Sequence, residues 1–154
     1  MQLELTVNGR PVASQAEPQE LLLDFLRNRL GLTGAKHSCD VQVCGACTVL
    51  VDRAPVSACC YLAAEAAGRE VLTIEGLSQR EEFDRLEAAF IRHAALQCGF
   101  CTPGMLLTVK ALLDAGELGS DAEIKRNLAG NLCRCTGYRG ILEAARGLAG
   151  VAET

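Results

Sequence analysis

The chain has 154 residues, 49% hydrophobic and 22% charged, with a net charge of −4. This balance excludes intrinsic disorder, and the lack of a basic run argues against nucleic acid as a partner. No apolar stretch has the length of a membrane span, and "MQLELTVNGR" has no apolar signal core, so the sequence reads as cytoplasmic.

In chain order, "LELTV" (3–7) alternates Leu3, Leu5 and Val7 and predicts a strand. Asn8-Gly9 is a hairpin turn signal, and a return strand passes through Pro11 and Val12. In "QELLLDFLRNRLG", Leu21, Leu22, Phe25, Leu26 and Leu30 recur at helical spacing, with Gly31 as the stop. A loop without periodicity follows from Thr33 to Ala46. "CTVLV" (47–51) reads as a buried strand, "DRAP" as a turn, and "REVLTIEG" (69–76) as the last strand.

From Leu77 onward the pattern is helical. "REEFDRLEAAFIRHAALQ" sets Phe83, Leu86, Phe90 and Ala94 on one stripe. Pro103 suits the first turn of a helix running through "GMLLTVKALLDAG". Ser120 and Glu123 form a capping box for "SDAEIKRNLAG", and "RGILEAARGLAG" is the fourth helix. The expected fold class is α+β, with a mixed domain over 1–76 and a four-helix domain over 77–154. Aromatic residues are only 4% of the chain, so Leu, Val, Ile and Ala must build both cores. Domains this small are commonly stapled by a metal centre.

Nine cysteines point the same way. Disulfides do not persist in a reducing compartment, where thiols in such numbers usually hold metal. The odd total leaves one thiol as a bystander. Cys39, Cys44 and Cys47 have the spacing C-x4-C-x2-C of plant-type [2Fe–2S] ferredoxins. Gly45 and Ala46 keep that loop small enough for backbone N–H groups to approach sulfur. The fourth thiolate is Cys59 or Cys60, with Cys59 preferred. The second set is Cys98, Cys101, Cys133 and Cys135. Its C-x2-C and C-x-C spacings match no ferredoxin run, and structural zinc stays open for it on spacing alone. Yet "CTPG" and "CTGY" each lead from a thiol pair into a helix, and helix N-termini favour an anionic group. His37 and His93 read as solvated residues rather than ligands.

Together, "CDVQVCGACTV…SACC" and "QCGFCTPG…GNLCRCTGY" closely resemble the iron–sulfur subunit of the xanthine oxidase (molybdenum hydroxylase) family, over nearly the whole chain. The resemblance implies a β-grasp ferredoxin domain with one [2Fe–2S] cluster on Cys39, Cys44, Cys47 and Cys59. It implies a helical domain with a second on Cys98, Cys101, Cys133 and Cys135. A large partner subunit would carry molybdenum–molybdopterin, as the cytosine dinucleotide, and a medium one FAD, in a doubled heterotrimer. Electrons would run from molybdenum through the helical-domain cluster and then the ferredoxin-domain cluster to FAD. Gln97 and Cys135 would lie against the partner's pterin. The chain departs from many relatives at Val41-Gln42-Val43, where they have a Gly. A stand-alone two-cluster ferredoxin is the alternative reading. The substrate and the final acceptor are not written in this chain.

Overall fold

A computed structural model describes residues 1–151; the last three residues of the helical domain expected at 77–154 lie outside the described residues. Strands β1 (Gln2–Val7) and β2 (Arg10–Gln15) form an antiparallel hairpin. Its turn residues Asn8 and Gly9 both have left-handed φ, +53° and +76°, as a two-residue turn matching strand twist requires. β1 buries Leu3, Leu5 and Val7, as their alternation predicts. It pairs in parallel with β5 (Glu70–Leu72), which pairs antiparallel with β3 (Thr48–Val51), which in turn carries β4 (Ala54–Ser57). The sheet order among the described residues is β2-β1-β5-β3-β4.

Helix α1 (Leu22–Asp24) widens into a π-helical turn over Phe25–Arg29 and lays Leu22, Leu23, Phe25 and Leu26 on one face of the sheet. This is the β-grasp arrangement. β3 is buried at every position because it has a core on each face. Val49 and Val51 join the core beneath α1, whereas Leu50, with Leu72 of β5, joins the core of the helical half.

That second core is built by α3 (Glu81–Arg92), α4 (Thr102–Ala115), α5 (Asp121–Asn127) and α6 (Arg139–Ala149). Leu86, Phe90, Met105, Ile124 and Ile141 fill it. The capping signals act as the sequence predicts. Pro103 sits in the first turn of α4, and the Ser120 hydroxyl accepts the Glu123 N–H at 3.3 Å.

Three local expectations are corrected. "DRAP" is not a turn throughout: Asp52 and Arg53 make the turn with φ of +48° and +71°, and Ala54–Ser57 is β4. Its Pro55 is tolerated because β4 is an edge strand. The last strand stops at Leu72, and Ile74–Leu77 forms a short helix, α2, instead. Asn8 explains the change: its Oδ1 accepts the Thr73 N–H at 2.9 Å, which takes that donor away from any strand partner. The helix expected to reach Gln97 ends at Arg92. Ala94 has a left-handed φ of +48°, and Ala95 takes its place in the core.

Candidate metal centres

The loop from Thr33 to Ala46 is pinned before it folds. The Arg27 guanidinium donates to the carbonyls of Thr33 and Ala35 at 2.8 and 2.7 Å, and the Gly34 N–H donates to Glu75 at 2.8 Å. His37 bridges Asp40 and Asp24 at 3.0 Å each. Those bonds, the one to Asp40 first, raise its pKa, so it braces the loop rather than sitting free in solvent.

Within the loop Asp40, Gln42 and Gly45 are left-handed, with φ of +52°, +60° and +68°. Gln42 is the middle of the Val41-Gln42-Val43 stretch singled out above. A non-glycine residue there costs about 1 kcal/mol or more. The reversal turns successive N–H groups inward: Val43 and Cys44 both donate to Cys39 Sγ at 3.4 Å. Donors from Val41, Val43 and Cys44 lower the Cys39 thiol to about 6, so the nest stabilises a thiolate.

Cys47 and Cys59 are buried, at 2% and 3% exposure. Burial first, and then the adjoining Cys59 thiol, push Cys47 up to about 12. The Ala58–Cys60 3-10 turn points Cys59 into the core and leaves Cys60 exposed. Cys60 Sγ lies 3.8 Å from Cys59 Sγ and 3.7 Å from the Asp40 carbonyl.

The second set forms where the segments before α4 and α6 meet. Cys101 directly precedes α4, and Cys135 lies just ahead of α6. Left-handed Gly99, Gly137 and Tyr138, with φ of +80°, +63° and +68°, fold these segments tightly. Cys98 and Cys135 bring their sulfurs to 3.6 Å. Burial, and the Cys133 thiol beside it, push Cys101 up to about 12. Burial would also raise Cys133, but the Thr136 hydroxyl and N–H, at 3.0 and 3.4 Å from its sulfur, outweigh it and hold this thiol low.

Cys98 and Cys135 meet at 3.6 Å, and the strongest thiol neighbours of Cys39, Cys47 and Cys101 are Cys44, Cys59 and Cys133, with Cys60 also 3.8 Å from Cys59. A binuclear iron–sulfur cluster takes two thiolates per iron, whereas tetrahedral zinc gathers four ligands around one ion. The pairing fits the binuclear group in both halves. Thr102, beside Cys101, adds a buried hydroxyl oxygen with no partner among the described residues, a donor left for an anionic group in the first turn of α4.

The two sites are joined. The Leu132 N–H donates to the Cys44 carbonyl at 2.8 Å, and buried Asn131 donates to the Gly45 carbonyl at 3.3 Å. One hydrogen bond and one peptide unit therefore separate Cys44 from Cys133. Gly104 in α4 packs so closely that a Cβ there would fall under 3.0 Å from the Gly45 carbonyl oxygen. Sequence reasoning missed this junction. Its signal lay in Gly104 and Asn131, which the sequence shows only as parts of the thiol motifs. Around it, a cavity of about 620 Å³ is lined by Cys44, Cys98, Phe100, Cys101, Leu132 and Cys135, among others. Gln97 is exposed on the same segment as Cys98.

Two thiol sets in a β-grasp and a helical half define a two-domain [2Fe–2S] protein. Residues 5–73 match the family described as "2Fe-2S iron-sulfur cluster binding domain", and residues 73–146 the one described as "[2Fe-2S] binding domain". The chain belongs to the xanthine oxidase family, as an iron–sulfur subunit. It is 46% identical to a probable xanthine dehydrogenase subunit of Bacillus subtilis, over 94% of this chain and 83% of that protein. Against the nicotinate dehydrogenase small FeS subunit of Eubacterium barkeri it is 44% identical, over 94% and 92%. A chain of quinoline 2-oxidoreductase from Pseudomonas putida 86 superposes with a TM-score of 0.90 at 45% identity, covering 97% of this chain and 94% of that one.

Proposed function

We propose that this chain transfers electrons within a multi-subunit molybdenum hydroxylase, from a molybdenum–pterin centre to FAD, by way of two [2Fe–2S] groups. Residues 1–76 would hold one on Cys39, Cys44, Cys47 and Cys59, and residues 77–154 the other on Cys98, Cys101, Cys133 and Cys135. Each group supplies a one-electron carrier; the protein's own part is to hold, shield and connect. The N–H nest over Cys39 offsets thiolate charge, and the buried Cys47–Cys59 pair keeps water away. The observation that carries the reading is the junction. The ligand loop of one half donates a hydrogen bond to the ligand loop of the other, a short path that two independent structural sites would not need.

Exposed apolar surfaces support an assignment of the partners. Leu96, Phe100 and Leu132 are 39%, 45% and 49% exposed beside the second thiol set. We assign this apolar rim to a large subunit carrying molybdenum–molybdopterin as the cytosine dinucleotide, with Gln97 and Cys135 against the pterin. Val41 and Val43, 65% and 57% exposed on the first loop, would face a medium FAD subunit. A doubled heterotrimer in the cytoplasm completes the proposal. Among the described residues no helix is long and apolar enough to cross a membrane.

Purification from the source organism tests it. The chain should elute far above the size of one 154-residue polypeptide, together with molybdenum and flavin. Elution alone, with iron but neither cofactor, would leave a free two-cluster ferredoxin in its place.

A further inference from the structure

The segment "CRCTGY" closes a ring of hydrogen bonds upon itself. The Cys133 N–H donates to the Tyr138 hydroxyl at 2.9 Å, and that hydroxyl donates to the Asn131 carbonyl at 3.2 Å. The left-handed φ of Gly137 folds the segment back, and the Tyr138 N–H donates to Thr136 Oγ1 at 3.2 Å. Thr136 Oγ1 then donates to Cys133 Sγ at 3.0 Å, with the Thr136 N–H on the same sulfur at 3.4 Å. With one lone pair engaged by Tyr138, the Thr136 hydroxyl is directed at sulfur rather than free to rotate. Cys39 receives backbone N–H donors and no hydroxyl; among the described residues, Cys133 alone of the proposed ligands is bonded by a hydroxyl.

We propose that Thr136, held in place by Tyr138, is a positioning residue that raises the reduction potential of the helical-half centre through the sulfur of Cys133. The inference rests on the reading that Cys133 ligates a [2Fe–2S] group. One-electron reduction adds one negative charge to that group. A fixed O–H dipole aimed at a ligand sulfur stabilises the more negative state, so losing it lowers the potential. The ring confines the effect to one centre, because Thr136 bonds no sulfur of the ferredoxin half. Two centres close in space thereby receive separate settings.

The experiment replaces Thr136 with Val and with Ser in the full chain loaded with iron and sulfide, and follows each reduced centre by EPR across a series of poised potentials. T136V should keep wild-type iron and shift the helical-half midpoint to lower potential, leaving the ferredoxin-half midpoint in place. T136S, which restores the hydroxyl, should return the midpoint to the wild-type value. Unchanged midpoints in T136V overturn the inference. So does a T136V chain that has lost the helical-half iron, since the hydroxyl would then be a clasp for assembly. A wild-type chain with only one centre would instead sink the underlying reading, so the two failures are distinguishable.

Discussion

Replacing Gly104 with Ala places a methyl group less than 3.0 Å from the Gly45 carbonyl oxygen, where ordinary contact begins at 3.4 Å. The obstacle is backbone, and it is itself tied down. The Gly45 oxygen accepts the Thr48 N–H at 3.2 Å, the Thr48 hydroxyl at 2.8 Å and the Asn131 amide at 3.3 Å. Relief therefore needs α4 to lift from the ferredoxin loop or these bonds to break. Overpacking costs about 1–3 kcal/mol, here about 2–3 kcal/mol because the obstacle is fixed backbone, and the better helix propensity of Ala offsets about 1 kcal/mol of it. The net loss is about 1–2 kcal/mol, or about 2–8 °C in Tm for a chain of this size. Thermal melting of the iron-loaded chain, beside Gly130→Ala as the control, measures it. A Cβ at Gly130 meets nothing within 4 Å, so that control should stay within about 0.5 kcal/mol of wild type. A G104A chain melting at or above the wild-type temperature refutes the close approach of the two thiol loops.

Cys59→Ser should abolish the ferredoxin-half EPR signal and lower iron by about two per chain, while Cys60→Ser, an exposed site, should leave both unchanged. The reverse pattern would make Cys60 the ligand. Gln97→Ala should slow substrate reduction of the clusters in the assembled enzyme at constant iron content. Rapid-mixing absorbance reports it, and wild-type kinetics would remove Gln97 from the pterin contact.

Much of this is legible in the sequence because local signals and tertiary contacts agree. The Leu3, Leu5 and Val7 alternation, the Asn8-Gly9 turn and the Ser120–Glu123 cap each act within a few residues, and each forms as its pattern predicts. Where the reading fails, a distant residue decides. Asn8, 65 positions away, takes the Thr73 donor and ends β5, and no window around "REVLTIEG" contains it. The thiol sets are visible as spacings, because ligation puts the same residue type at fixed intervals. Their pairing and the bonds joining them are not, since Leu132 meets Cys44 through backbone atoms, which leave no side-chain signature. Thr136 and Tyr138 likewise sit within a motif that gives them no separate role, for their ring depends on a left-handed Tyr that propensity does not anticipate.

In this reading one chain holds two binuclear iron–sulfur centres joined by a hydrogen bond. EPR of the anaerobically purified, dithionite-reduced chain, with iron and sulfide counted on the same sample, tests it most directly. Two distinct [2Fe–2S] signals and about four irons per chain are expected. A single signal with about two irons and a zinc ion would contradict it, leaving the helical half a structural domain and ending the electron path at the ferredoxin loop.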